Sequence, residues 1–386
     1  MKFTTAILAA LVTTAASATP LSGMFSRGHS KTVSPKVLII SMFEYEEVWS
    51  ALDLNTNYTL PGLSPLYPAI HCNKAGEICQ MTTGEAEINA AVSVTSMLLS
   101  PVFDFSKTYF LIGGIAGVNP YMGTLGSVGL ARYAVQCALA YELDARQMPS
   151  NWTTGYWVQG TAEPGTLVDA SNYGTEYYEL NTNLRDHAMA FVTAANVTLN
   201  DSTTAIEYRQ KYDYAPANQP PAVFYGDVTT SDVYFAGTLL SEAFGNITAL
   251  WTNGTGQYAL TAQEDNATFE AMMRATTAGL MDFSRVILMR TASDFDRGYA
   301  GSDALTAFEA SQGGFTPATE NIFIVGNPIV QGIVKNWNKV YKKGVAPQDG
   351  FEYSANIFHS LSTTKTKKSV VARNHIAARG KEATIA

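Results

Sequence analysis

What this chain has little of narrows its function. Charged residues occupy only 15% of its 386 positions and the formal net charge is -8. No basic stripe interrupts the body, which argues against a nucleic-acid backbone as partner and favours small, uncharged or polar ligands. The five histidines, His29, His71, His187, His359 and His375, are scattered without zinc-ligand spacing. No P-loop occurs, and Gly113-Gly114-Ile115-Ala116-Gly117 lacks the spacing and downstream context of a dinucleotide fingerprint, so no metal or cofactor is implied. Beyond the first residues no apolar run reaches membrane-spanning length: the longest, Tyr109 to Val118, contains three glycines. Neither an internal repeat nor a clear linker divides the body.

Cysteine is also scarce, at three residues. Cys72 and Cys79 flank a short loop, and an oxidising compartment favours their pairing as a hairpin staple. Cys137, inside Ala134 to Ala140, reads as a buried free thiol. The compartment follows from the start of the chain: Lys2, the apolar run Ala6 to Val12 and Ala16-Ser17-Ala18 predict a secretory signal peptide over residues 1–18. A secreted, extracellular or cell-wall glycoprotein is therefore expected, with seven Asn-x-Ser/Thr sequons at Asn57, Asn151, Asn196, Asn200, Asn246, Asn253 and Asn266. Residues 19–34 read as a flexible segment. The tail, 344–386, reads as basic and disordered, since from Ser360 onward Lys365, Lys367, Lys368, Arg373, Arg379 and Lys381 face only Glu382.

The body between these ends, 35–343, carries the elements of an α/β domain. Lys36 to Ile40 predicts a buried strand, and Glu44, Glu46 and Glu47 ahead of Val48, Trp49 and Leu52 suit a helix. A strand entering Thr82-Thr83-Gly84 leads to a helix from Ile88 to Leu99. Thr108 to Ile112 predicts a strand meeting the glycine loop, whose backbone can approach a ligand or turn tightly. Tyr173 to Thr193 is helix-like, Asp227 to Phe244 reads as strand-turn-helix, and Asp265 to Leu280 as a helix. Such alternation predicts a mostly parallel sheet wrapped by helices.

The most informative stretch is Val286 to Asp296, an apolar, β-branched run that ends in Arg290, Ser293 and Asp294. In open α/β sheets ligands bind where parallel strands stop, which places Asp294 where chemistry can happen. The alternative is a helix or turn cap, with Arg290 pairing a carboxylate.

The blocks Leu38 to Glu44, Tyr109 to Pro120, Thr261 to Thr268 and Arg290 to Asp296 resemble the fungal purine nucleoside permease family over Pro35 to Lys343, and remotely the nucleoside phosphorylase and nucleosidase superfamily. That resemblance implies a three-layer α/β/α fold with a central twisted, mixed, mostly parallel sheet. It also implies a purine nucleoside as ligand and N-glycosidic bond cleavage as the superfamily's chemistry. Asp294 matches the acid that protonates purine N7, with Ser293 orienting it and Arg290 a structural or binding partner. Glu46 matches the glutamate that activates water, with Glu44 and Glu47 as register alternatives, or all three form an acidic first helical turn. A departing purine anion and a developing oxocarbenium ion need that acid and base. Tyr234 falls where an aromatic stacks on the base, or is a core tyrosine, and Gly114 lies in the glycine loop at the site. At the ribose-binding position this chain has Asn266, with Glu264 and Asp265 as substitutes. Asn266 also starts a sequon, and a buried ligand residue cannot carry a glycan.

The residues aligned with the superfamily's phosphate ligands are Ile112 and Ile115, which cannot neutralise a phosphate dianion. The resemblance thus points to hydrolysis by a purine nucleosidase rather than phosphorolysis. The alternatives are a nucleoside-uptake component that binds without cleavage, or a storage or wall glycoprotein that has lost the site. A homo-oligomer and a separate membrane carrier are the partners left open.

Overall fold

The computed structural model describes residues 32–166, 173–351, 353 and 361. The expected signal peptide and most of the two terminal segments lie outside them. The strands are β1 (Val37–Ser41), β2 (Thr56–Thr59), β3 (Ala69–Cys72), β4 (Ile78–Thr82), β5 (Tyr109–Val118), β6 (Val128–Leu130), β7 (Tyr133–Gln136), β8 (Ala140–Glu142), β9 (Tyr156–Val158), β10 (Tyr177–Glu179), β11 (Val223–Tyr225), β12 (Asp227–Thr230), β13 (Tyr258–Ala262) and β14 (Val286–Phe295). The helices are α1 (Ala86–Leu98), α2 (Thr182–Ala195), α3 (Thr203–Arg209), α4 (Thr238–Trp251), α5 (Asp265–Thr277), α6 (Ala304–Glu309) and α7 (Phe315–Lys335).

Twelve strands form one mixed sheet whose spine runs β10-β7-β12-β13-β5-β1-β4-β3-β2, with β14 against β5 and β6, and β11 against β6. Its centre is parallel: β1 pairs in parallel with β4 and β5, and β14 with β5. The antiparallel partners include β2, β3 and β10 at the edges.

Alternation along the central strands explains the layering, because successive strand side chains leave opposite faces of the sheet. Leu38 and Ile40 of β1, Phe110 and Ile112 of β5 and Leu288 of β14 pack with Val94 and Met97 of α1 and Phe269 and Met272 of α5. Val37, Ile39, Tyr109, Leu111, Ile287 and Met289 pack on the other face with α2 and α7 through Leu184, Val192, Ile322, Val325 and Ile329. Both faces are covered, so these strands are continuously apolar, as the sequence shows. The protein is a three-layer α/β/α domain.

Four expectations change. The acidic helix after β1 is instead two short 3-10 turns, Glu44–Glu46 and Ser50–Leu52. Glu46 turns back to bond the Met42 amide at 2.7 Å, and Asp53 closes the second turn in the left-handed conformation. The helix-like stretch from Tyr173 splits into β10 and α2, because Asn181 caps α2 by accepting from Leu184 N at 3.1 Å. At the N-terminal boundary Val33 is tied in, its amide donating to Val102 O and its carbonyl accepting from Asp104 N. At the other boundary the chain stays packed past Lys343: Asn181 Nδ2 donates to Val345 O, and Gln348 Oε1 accepts from Thr182 N.

A disulfide joins Cys72 of β3 to Cys79 of β4, and Cys137 is a buried free cysteine. Six of the seven sequon asparagines are exposed; the exception, Asn266, is only 4% exposed.

Candidate functional site

The carboxyl ends of β1, β12, β13 and β14 open onto a cavity of about 660 Å³, within the size range of small-molecule sites. Met42, Phe43 and Glu46 follow β1, Ser231 and Val233 to Ala236 follow β12, and Gln263 and Glu264 follow β13. Ser293, Asp294 and Asp296 come from the end of β14, and Ile115 to Gly117 from β5.

Asp294 is aimed by a bulge. The β14–β5 register shifts between Ala292 and Asp294, so Ser293 is the extra residue and Asp294 pairs with Gly117. Gly117 leaves the space the carboxylate needs: a Cβ there would lie 3.3 Å from Asp294 Oδ2 and 2.9 Å from Thr261 Oγ1. The Tyr234 hydroxyl donates to Asp294 Oδ2 at 2.9 Å. Ser293 Oγ sits 2.6 Å from Asp294 Oδ1 and 3.0 Å from Ala116 O. A hydroxyl has one proton and two lone pairs, so Ser293 serves either form of the acid. It donates to the carboxylate, or donates to Ala116 O and accepts from the protonated carboxyl. Burial is the largest influence on Asp294 and raises its pKa, with Ser293 and Tyr234 opposing.

Of the three glutamates after β1, only Glu46 lines the cavity. Glu44 is exposed and accepts from the Tyr67 hydroxyl at 2.7 Å, while Glu47 Oε1 accepts from Thr82 Oγ1. Glu46 is 1% exposed. Its Oε2 accepts from Met42 N at 2.7 Å and its Oε1 from Ile115 N at 2.8 Å. Burial pushes its pKa up to about 8 against the pull of Arg290 and those two amides. The carboxyl therefore exchanges its proton near neutral pH.

Arg290 is the only cationic side chain among the described cavity-lining residues, and its hydrogen bonds point into the protein. Its Nε and Nη2 bond Asp265 at 3.2 and 2.5 Å, Nη2 also bonds Glu264 at 3.1 Å, and Nη1 donates to Ile115 O at 3.1 Å. Glu264 spends its other oxygen on Ala86 N at 3.1 Å, at the start of α1. Asp265 is buried behind the cavity wall as the guanidinium's counter-ion. Gly114 does not line the cavity either; it clears the way for this cluster. A Cβ there would strike the Met42 methyl and lie 2.7 Å from Arg290 Nη1 and from Glu46 Oε1.

Asn266 is not in the cavity wall. Its Nδ2 donates to Thr175 O at 3.0 Å, and the residue borders a separate hollow. The position expected at the ribose points elsewhere, and its burial leaves no room for a glycan. Tyr234 is not a core tyrosine: it is 57% exposed, with its ring edge-on to Phe308 at 5.6 Å. Phe308 of α6 and Phe315 at the start of α7 complete an aromatic wall with Phe43, whose ring lies 6.4 Å from that of Phe315. The two C-terminal rings were missed from sequence; nothing in their spacing separates them from ordinary helix-packing aromatics.

A family described as purine nucleoside permease matches residues 34–346. A Candida albicans protein named purine nucleoside permease is 45% identical over 334 residues, covering 85% of this chain and 81% of that protein. A Schizosaccharomyces pombe protein named probable purine nucleoside permease is 41% identical over 323 residues, covering 81% of this chain and 92% of that protein. Similar solved structures include a Colwellia psychrerythraea 5'-methylthioadenosine/S-adenosylhomocysteine nucleosidase in complex with adenine, 13% identical, covering 78% of this chain and 96% of that one, with a TM-score of 0.46. Futalosine hydrolase of Helicobacter pylori is 12% identical, covering 78% and 98%, with a TM-score of 0.46. Overlap this loose assigns no role to any residue here.

Proposed function

This chain belongs to the purine nucleoside permease family, and from that premise we propose that its cavity binds a purine nucleoside and hydrolyses the N-glycosidic bond without phosphate. The observation that carries this reading is the pair of carboxyl groups, Glu46 and Asp294, facing one cavity with raised affinity for protons. Pairs of buried titratable groups in a cleft mark candidate acid–base sites.

In this scheme a water oxygen adds to the anomeric carbon while Glu46 takes its proton. The carbon–nitrogen bond breaks with its electron pair going to the purine, and Asp294 delivers a proton to the base. Solvent then returns Asp294 and Glu46 to their starting states. Aromatic faces at Phe43, Tyr234, Phe308 and Phe315 suit a flat purine. Phosphate is disfavoured, because Glu46, Glu85, Glu264, Asp294 and Asp296 face the cavity against one guanidinium already bonded to carboxylates.

The free-enzyme pH profile tests the base. Glu46 works as a base only when ionised, so kcat/KM for inosine should climb with pH up to about 8. Glu46→Gln should lose that limb together with most turnover. An identical pH limb in wild type and Glu46→Gln would remove Glu46 from the mechanism.

A second reading draws on the relatives' name: the chain captures nucleosides and hands them on intact. Among the described residues no helix is long and apolar enough to cross a membrane, so delivery calls for a separate carrier. Gene-dependent entry of intact nucleoside labelled in both base and sugar would favour this reading over cleavage outside the cell. Either role fits a secreted protein, which the signal-like start and the six exposed sequon asparagines support. Fractionation that finds the mature chain wholly inside cells would refute secretion.

A further inference from the structure

Four of the five carboxyl groups in the wall of the main cavity are already bonded. Glu46 accepts from Met42 N and Ile115 N, and Glu264 from Ala86 N and Arg290. Asp294 meets Tyr234 and Ser293, and Asp296 accepts from Arg297 and the Tyr258 hydroxyl. The fifth, Glu85, is exposed, and among the described residues its side chain makes no hydrogen bond or ion pair. Its place in the chain makes this notable. Glu85 is the N-cap residue of α1, where a side-chain oxygen ordinarily accepts from an amide of the first turn, yet it caps nothing. Those amides are served from elsewhere: Ala86 N donates to Glu264 Oε1 at 3.1 Å, and Glu87 N donates to Asp232 Oδ1 at 2.7 Å. Ala86 itself is held in the left-handed conformation, φ 72°, which is unfavourable for an L residue. The fold thus maintains a strained turn that leaves one carboxylate free at the cavity.

Position decides what meets that carboxylate. The bonds from Ala86 to Glu264 and from Glu264 to Arg290 tie Glu85 to the Glu46 end of the cavity, since a Cβ on Gly114 would lie 2.7 Å from both Arg290 Nη1 and Glu46 Oε1. Asp294 holds the other end, paired with Gly117. With the base at Asp294 and the anomeric carbon at Glu46, the sugar extends toward Glu85. A carboxylate only accepts hydrogen bonds, and a sugar offers hydroxyl donors. The 2′-hydroxyl, on the carbon next to the anomeric one, stays inside by Glu46 and Glu264. The 5′-hydroxyl, on a rotatable arm, is the one that reaches an exposed side chain at the rim. We propose that Glu85 is a specificity-determining residue that accepts the 5′-hydroxyl of a nucleoside and turns away the 5′-phosphate of a nucleotide. A phosphate ester there loses the donor and sets its charge against that of Glu85, while the Arg290 guanidinium is already bonded to Glu264 and Asp265. Where the source is a nucleotide, hydrolysis of its phosphomonoester must therefore supply the substrate. This inference rests on the cavity holding a nucleoside, as proposed above, and not on cleavage.

Equilibrium binding of inosine, 5′-deoxyinosine and inosine 5′-monophosphate to the full chain tests it. Wild type should bind inosine roughly tenfold or more tighter than 5′-deoxyinosine, as a hydrogen bond to a charged group predicts. The monophosphate should bind more weakly than inosine. Glu85→Ala should erase the preference, weakening inosine to the level of 5′-deoxyinosine while the affinity for 5′-deoxyinosine stays near that of wild type. Glu85→Lys should favour the monophosphate over inosine. Because the side chain is exposed and unbonded, both variants should keep the wild-type unfolding midpoint. The inference is overturned if Glu85→Ala keeps the preference for inosine over 5′-deoxyinosine, if the contact it loses is instead the one missing in 2′-deoxyinosine, or if wild type binds the monophosphate as tightly as inosine. Inosine bound but not cleaved would remove hydrolysis and leave this comparison standing. Inosine cleaved, with Glu85→Ala matching wild type on every ligand, would remove Glu85 and leave hydrolysis standing.

Discussion

Asp294→Asn is expected to lower nucleoside turnover by roughly 10²- to 10⁴-fold, the usual contribution of a positioned general acid. Nucleoside affinity should change far less. The substituted amide keeps the shape of the carboxyl and can still accept from the Tyr234 hydroxyl, which now lies 2.9 Å from Asp294 Oδ2. It can donate a hydrogen bond to the base but cannot transfer a proton to it. Folding should not suffer, because the wild-type carboxyl sits where burial already disfavours its charge. Single-turnover kinetics alongside equilibrium binding separate the two effects. Unchanged turnover with unchanged binding would move the acid elsewhere.

Arg290→Met should cost about 3–5 kcal/mol of folding stability, the penalty for removing one partner of a buried ion pair. The guanidinium holds Asp265 and Glu264 together and draws the pKa of Glu46 down; without it, three buried carboxyl groups lose their shared cation. Denaturant unfolding at pH 7 reads the loss, and the deficit should shrink as pH falls and Glu46 and Glu264, whose pKa values burial raises, take up protons. Arg290→Lys should recover only part, since an ammonium cannot span both Asp265 oxygens as the planar fork does. A loss near zero in Arg290→Met would mean that the cluster does not organise the site.

The layers and the principal strand were legible in sequence because burial on both faces leaves a continuous apolar run, and β1, β5 and β14 each have one. Asp294, Ser293 and Glu46 were legible through their place at the ends of those strands and the family resemblance. Other features depend on contacts that no local pattern encodes. The bulge at Ser293 is a register shift against β5, and the inward turn of Glu46 follows from amides at Met42 and Ile115, the latter on another strand. Asn266 sits one residue past the Arg290 partner Asp265 and looks like its neighbour in sequence. One helical step of roughly 100° nevertheless turns it to the other hollow. The aromatic wall at Phe308 and Phe315 required the chain to return from α6 to the cavity mouth, which periodicity does not foretell.

The central claim is that the cavity breaks a nucleoside by water and not by phosphate, and the fate of the sugar tests it most directly. Purified protein incubated with inosine should release hypoxanthine and free ribose at the same rate with and without added phosphate. Ribose 1-phosphate formed only when phosphate is present, or inosine that binds and is recovered intact after many hours, would contradict it.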